Sequence, residues 1–230
     1  MRRIYPDIED DPDIAEAYAY PADRPWLRVN MVASADGGAW VKGLSSGLSS
    51  KGDRRVFGVL RGLADVVVAG AATVRMEGYG PAKRRPAREI PPPVAVVTGS
   101  MALDLGSPLF TEAVSRTIIL TCASAPEDRR AEAAEVADVV VAGEAEVDLA
   151  LAVRALHERG LTRVLCEGGP RLNAQLATDG LLDELCLTVS PLLVGGAAAR
   201  ILNGAASQVP LRLAQVLEEE GVLFNRYVKE

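Results

Sequence analysis

Two spacings of apolar residues alternate along this chain, and together they predict its elements. Residues 26–32 (Trp-Leu-Arg-Val-Asn-Met-Val) alternate with a period near two, the mark of a first strand. Residues 65–69 form a continuous apolar run, as in a strand buried on both faces of a mainly parallel sheet. Further strands are expected at 39–41, 94–97, 117–121, 138–141 and 184–189. Between them apolar residues return every three or four positions. Val56, Val59, Leu60 and Leu63 share one face of a helix over 51–63, and other helices are expected over 127–136 and 147–158. Residues 211–219 and 222–229 read as a terminal hairpin turning at Glu220-Gly221. Strands alternating with helices imply a three-layer αβα domain, and the hairpin makes its central sheet mixed, though mainly parallel. Residues 1–25 hold Pro6, Pro12, Pro21, Pro25 and many acids, so they are expected as an arm with one helical turn at 14–18, laid on a body of residues 26–230.

Composition narrows the function classes. With 230 residues and 49% hydrophobic content the chain can bury a sizeable core. A net charge of −6 argues against a nucleic-acid surface, which needs a basic stripe. No apolar run approaches the roughly 18 residues of a membrane span, and the acidic N-terminus lacks the apolar core of a secretory signal. Cys122, Cys166 and Cys186 are scattered in apolar contexts, which points to buried free thiols and a cytoplasmic location. A single histidine, His157, and no paired cysteines leave no metal site in view. His157 falls at the end of an expected helix, where it suits the negative helix end.

The candidate chemistry centres on residues 164–173. A short apolar run ends in Glu167-Gly168-Gly169-Pro170, and a helical pattern follows with Arg171 and Leu172 in its first turn. Proline is preorganised for the first helical position, and a helix start with free N–H groups favours phosphate. The turn reads as a pyrophosphate seat with a carboxylate beside it; the alternative is an ordinary strand-to-helix turn. Gly70 and Thr73 open a second such turn, and Thr98 follows the strand at 94–97. Residues 43–50 are small and serine-rich, suited to polar ligand contacts and to a flap, while residues 82–93 form a basic, proline-rich loop. The G-x-G-x-x-G dinucleotide fingerprint is absent.

In order, residues 30–37 (Asn-Met-Val-Ala-Ser-Ala-Asp-Gly), 60–61, 65–75, Glu167-Gly168-Gly169-Pro170, and 182–185 with 190–196 carry a resemblance. This arrangement resembles the reductase domain of bacterial riboflavin biosynthesis, the pyrimidine reductase family with a dihydrofolate-reductase-like fold, in its stand-alone actinobacterial form. The resemblance spans residues 26–229. It implies NADPH as cofactor and hydride transfer to C1′ of a ribosylaminopyrimidine 5′-phosphate, the 5-amino-6-(5-phosphoribosylamino)uracil type, yielding a ribitylamino group. It also implies positions. Asn30, Asp36, Ser46, Arg61 and Glu167 would meet substrate, with Arg61 as a phosphate clamp. Ala33, Leu48, Gly70, Thr73, Glu77, Thr98, Gly168, Gly169, Pro170, Arg171 and Leu172 would meet cofactor. Asn30 stands where several relatives have lysine, Leu48 where some have tryptophan, and Glu77 where most have aspartate. No upstream zinc deaminase motif is present. A reductase of dihydrofolate or another pterin on the same scaffold, or a non-catalytic nucleotide-binding protein, are the competing readings. A homodimer is expected from the apolar supply at Leu182, Leu185, Leu187, Val189, Leu192, Leu193 and Val194 beside the terminal hairpin; a monomer whose hairpin is covered by the N-terminal arm is the competing arrangement.

Overall fold

The apolar runs become strands of one sheet because each carries β-branched or small apolar residues that pack on both sides. The computed structural model describes residues 1–84, 89–205 and 208–230; Arg85 to Arg88, in the expected basic loop, lie outside the described residues. In chain order the elements are β1 (Arg2–Tyr5), β2 (Glu9–Asp10), α1 (Ile14–Ala17), β3 (Trp26–Ser34), α2 (Lys51–Leu63), β4 (Val66–Gly70), α3 (Ala71–Met76) and β5 (Val94–Val97). There follow α4 (Pro108–Thr111), β6 (Ile118–Thr121), α5 (Glu127–Val136), β7 (Asp138–Val141), α6 (Leu149–His157), β8 (Arg163–Cys166), α7 (Pro170–Thr178), β9 (Glu184–Ser190), β10 (Leu211–Glu219) and β11 (Val222–Lys229).

Among the described residues the sheet has the order β2-β1-β10-β11-β9-β3-β8-β4-β5-β6-β7. The stretch from β9 to β7 is parallel, and β11, β10, β1 and β2 are added antiparallel. From β3 the chain steps outward through β4, β5 and β6 to β7, then returns to β8 and β9. Right-handed crossovers, the rule for parallel strands, put α2 to α5 on one face and α6 and α7 on the other. The expected three-layer, mixed and mainly parallel architecture is the one observed. Val66, Val67, Ala69, Val164 and Leu165 are fully buried, which accounts for the continuous apolar runs.

Register decides where a ligand can sit. Val29 of β3 and Val68 of β4 both face Cys166, the last residue of β8. β3 continues to Ser34 and β4 to Gly70, so the short β8 leaves a notch between two longer neighbours. The chain reversal in sheet order also falls here, and ligands collect outside the carboxyl ends of strands at such a point.

Three expectations need correction. Residues 39–41 are not a strand; only an isolated bridge joins Val41 to Leu44, and the Ala39 N–H donates instead to a loop carbonyl, Ala199 O, at 2.8 Å. The N-terminal arm holds more than one helical turn. Its β1 pairs with β10 and its β2 with β1, so the arm covers the outer edge of the hairpin. Its pairing partner lies some two hundred residues along the chain, and Arg2-Arg3-Ile4-Tyr5 shows no apolar alternation to betray it. His157 ends α6 as expected, but burial lowers its pKa, against Asp183, so at neutral pH the ring packs there uncharged. Cys122, Cys166 and Cys186 are buried free thiols, as expected.

Candidate active site

The notch above β8 opens into a cleft of about 1030 Å³. Its floor is the turn after β8. The Glu167 N–H donates to Val68 O at 2.9 Å and the Gly70 N–H to Gly168 O at 2.7 Å, so ladder pairing with β4 continues past the strand end. The Gly168–Gly169 peptide is cis, and Gly168 has φ +90°, a left-handed conformation that glycine adopts without penalty. A Cβ on Gly169 would lie 2.6 Å from Thr73 Oγ1, so the two strand-to-helix turns touch and only glycine fits between them. Pro170 is the first residue of α7, and the first helical bond is donated by Asn173 to Gly169 O. The N–H groups of Arg171 and Leu172 therefore have no helical acceptor. Gly169, Pro170, Arg171 and Leu172 all line the cleft.

The facing wall comes from α2 and the segment after α3. Arg54, Phe57 and Arg61 follow one another at helical spacing along α2 and line the cleft. Arg61 lies bidentate on Glu167, Nε to Oε1 at 2.7 Å and Nη2 to Oε2 at 2.7 Å. The Tyr79 hydroxyl donates to Oε2 at 2.6 Å. The Arg61 guanidinium lies 4.5 Å from the Phe57 ring centre and 5.4 Å from that of Tyr79. Such ring faces attract a cation when it is partly removed from water. The Glu167 side chain is 3% exposed and that of Arg61 16%. Burial, then the Glu167 charge, pushes the Tyr79 hydroxyl well above its ordinary pKa, with Arg61 opposing, so Tyr79 stays a donor. Burial works against the Arg61 charge, yet Glu167 outweighs it and the guanidinium stays protonated. Below them the Cys166 thiol is pushed up to about 12 by burial and is inert.

The structure brings most of the sequence-derived positions together. Asn30, Ser46, Arg61, Gly70, Thr73, Glu77, Thr98 and Glu167 line the same cleft as the α7 start. Four positions fall outside its lining. Ala33 and Leu48 are 5% and 2% exposed and pack inward. Gly168 turns its Cα toward Met31 and Asn173 and serves as turn backbone. Asp36 is a loop staple. It accepts from Ser34 Oγ and from the N–H groups of Val194 and Gly195, and these bonds hold its pKa down to about 2. Two lining residues do other work than expected. Glu77 Oε1 accepts from the Ser45 N–H at 2.9 Å, tethering the serine-rich loop. Arg61 is committed to Glu167 rather than free for a phosphate.

Sequence reading missed Phe57, Tyr79 and Asp53. Asp53 lines the cleft and ties the serine-rich loop to β9, accepting from Ser49 Oγ at 2.6 Å and Thr188 Oγ1 at 2.7 Å. The helical spacing of Arg54, Phe57 and Arg61 was a usable signal; Tyr79 had none, since its partner is 88 residues away. Among the described residues no His, Cys, Asp or Glu side chains converge to hold a metal, and no helix is long and apolar enough to cross a membrane.

Known proteins resemble this chain in sequence and in fold. A reductase from Methanothermobacter thermautotrophicus, named for 2,5-diamino-6-ribosylamino-4(3H)-pyrimidinone 5′-phosphate, is 36% identical over 180 residues, covering 78% of this chain and 83% of the relative. The reductase of the same name from Archaeoglobus fulgidus is 29% identical over 182 residues, 75% of this chain and 83% of that one. A crystal structure of a pyrimidine reductase-like protein from Corynebacterium diphtheriae superposes with TM-score 0.82 at 26% identity, covering 90% of this chain and 92% of the other. Residues 25–221 match the RibD C-terminal domain. The cleft that β8 leaves between its longer neighbours thus sits in an oxidoreductase: this chain belongs to the RibD C-terminal domain family, the pyrimidine reductases of riboflavin biosynthesis.

Proposed function

We propose that this protein uses NADPH to reduce a phosphoribosylaminopyrimidine, turning its ribosylamino group into a ribitylamino group. The observation that carries this reading is one cleft with two unlike walls: a glycine-proline helix start, and a buried carboxylate–guanidinium pair. Its volume of about 1030 Å³ suits two ligands side by side. The residues present fit the cofactor. Gly169 gives the close approach that a side chain would block, and the unpaired N–H groups of Arg171 and Leu172 suit a pyrophosphate. NADPH supplies the hydride. The protein's own part is to hold donor and acceptor together and keep water out, which accounts for much of such a rate. Glu167 and Arg61 hold the pyrimidine, and the tethered loop around Ser45 and Ser46 closes over it.

The assay is loss of NADPH absorbance with the purified protein, run in parallel on the phosphoribosylaminopyrimidine and on dihydrofolate. Turnover of the pyrimidine alone is expected; turnover of dihydrofolate alone would move the assignment to a pterin reductase. Replacing Gly169 by valine places branched carbon against Thr73, and NADPH binding should be lost. Unchanged NADPH affinity in a folded Gly169→Val protein would remove α7 as the pyrophosphate seat.

A homodimer belongs to the same proposal. Leu192 and Leu193 are 46% and 81% exposed, an apolar surface beside the end of β9. Because β1 already covers the edge of β10, a partner would pack on a face rather than extend the sheet. Light scattering should return about twice the 24.3 kDa of one chain. A mass of one chain at micromolar concentration counts against it.

A further inference from the structure

We propose that Trp40 is a ring-binding residue whose indole packs on the nicotinamide half of the cofactor. This rests on the NADPH reading above and deepens it. Three aromatic residues line the cleft: Trp40, Phe57 and Tyr79. Phe57 and Tyr79 give their rings to the Arg61 guanidinium. Trp40 is half-buried, and neither its ring nor its indole N–H has a partner among the described residues. An indole with an unused face and an unused donor, set at a cleft, suits a ligand better than a core. The backbone that presents it is fixed on both sides. The Ser34 N–H donates to Gly38 O and the Gly38 N–H to Ser34 Oγ, each at 2.8 Å. A Cβ on Gly38 would collide with the Val194 side chain, so that turn is closed against its neighbour. The Ala39 N–H donates to Ala199 O at 2.8 Å, and Val41 exchanges both backbone bonds with Leu44. Trp40 therefore stands in place before any ligand arrives.

Two sets of contacts select the nicotinamide half. The loop that holds Ala39 also holds the start of α7: the Asn203 N–H donates to Pro170 O and Asn173 Nδ2 to Ile201 O, both at 3.0 Å. Ala199 and Asn203 both line the cleft, and the chain between them spans at most roughly 14 Å. Trp40 is thus tied to the α7 side, where the pyrophosphate seat lies, and not to the α2 wall. The second set fixes which half of the cofactor comes near it. Asp53 binds Thr188 of β9, which pairs with Val32 of β3, so the first turn of α2 stands over the ends of β3 and β9. The substrate wall and Trp40 therefore share the β3 end of the cleft. The other end, at Thr98 to Ser100 after β5, lies three strand spacings or about 14 Å away. The hydride-donating ring must meet the substrate, so it takes the β3 end and the adenosine half takes the β5 end.

The test follows tryptophan fluorescence and calorimetry while the protein is titrated with NADP⁺ and, separately, with 2′-phospho-ADP-ribose, the same cofactor without its nicotinamide. The oxidised nicotinamide ring quenches an excited indole only on contact. Trp26, the other tryptophan, begins β3 about 20 Å from the cleft residue Val32 and is bound to Glu184, so contact quenching reports Trp40 alone. NADP⁺ should quench wild type and the fragment should not. Trp40→Ala should weaken NADP⁺ about tenfold, the size of a lost ring-on-ring contact with its burial, and leave the fragment at wild-type affinity. Trp40→Phe should abolish the quenching yet recover part of the NADP⁺ affinity, which a merely structural loss would not allow. Equal weakening of NADP⁺ and fragment overturns the inference, as does quenching by the fragment or unchanged NADP⁺ affinity in folded Trp40→Ala. If Trp40→Ala does not fold, the wild-type contrast between NADP⁺ and fragment decides alone, and its absence overturns the inference. Tight NADP⁺ binding with no Trp40 signal leaves the proposed reaction standing and removes Trp40. Wild-type protein that binds neither NADP⁺ nor the fragment sinks both.

Discussion

Two buried arginine–glutamate pairs stand at opposite ends of the sheet's parallel strands, built from the same parts. At the strand starts, Arg28 lies on Glu184, Nε to Oε1 at 2.7 Å and Nη2 to Oε2 at 3.2 Å, with its guanidinium 4.0 Å from the Tyr20 ring centre and 5.9 Å from that of Tyr18. At the strand ends, Arg61 lies on Glu167 between Phe57 and Tyr79. They differ in saturation. Glu184 also accepts from Trp26 Nε1, from Arg226 Nε and Nη2, and from the Cys186 thiol, so no acceptor site is left. Both side chains of the first pair are fully buried, and the N-terminal arm seals it with Tyr18 and Tyr20. Glu167 keeps a vacant acceptor site and borders a cleft. A buried ion pair by itself therefore does not mark a binding site. What marks one is unused hydrogen-bonding capacity facing a space large enough for a ligand.

The largest effect should come from breaking the sealed pair. Arg28→Met leaves Glu184 with less compensation in a sealed site, and removing one partner of such a pair costs about 3–5 kcal/mol. Urea unfolding should show this loss, while NADPH affinity of the folded fraction stays near wild type. Wild-type stability in Arg28→Met would erase the distinction between the two ends.

Next in size is Arg61→Ala. It removes charge-assisted bonds worth about 1.5–3 kcal/mol, so KM for the pyrimidine should rise roughly tenfold to a hundredfold. The fall in unfolding free energy should be smaller than for Arg28→Met, because Arg61 is 16% exposed and water can enter in its place. A loss of stability with unchanged KM would make this pair structural too.

The mildest test uses acid. Burial raises the Glu184 carboxyl, but Arg28 and Arg226 outweigh it and leave the pKa below the ordinary 4.5. The unfolded chain then takes up the proton first, so the contribution is present above the ordinary value and is lost as pH falls through the folded one. Replacing both Arg28 and Glu184 by leucine should flatten the decline in stability below about pH 4.5. An equally steep decline would place the acid sensitivity elsewhere.

Much of this was legible in one dimension. Alternation and helical spacing placed α2, β4 to β7, β9 and the terminal hairpin, because burial of one face imposes its period on the sequence. Glu167-Gly168-Gly169-Pro170 marked the turn that floors the cleft, because only glycine fits against Thr73. Side-chain commitments were not legible. Arg61 read as a free phosphate clamp, yet its partner lies 106 residues away; Arg28 and Glu184 are 156 apart. Asp36 read as a ligand to substrate, yet it staples the loop at Val194 and Gly195. The strands of the arm carry no apolar period because their pairing is backbone to backbone at a sheet edge. The sequence by itself determined most of the strands and helices of the body, since periodic burial is a local property of the chain. Only the tertiary structure decided that β8 stops short, that one carboxylate is saturated, and that the other keeps a place for a ligand, since each depends on register and on partners distant along the chain.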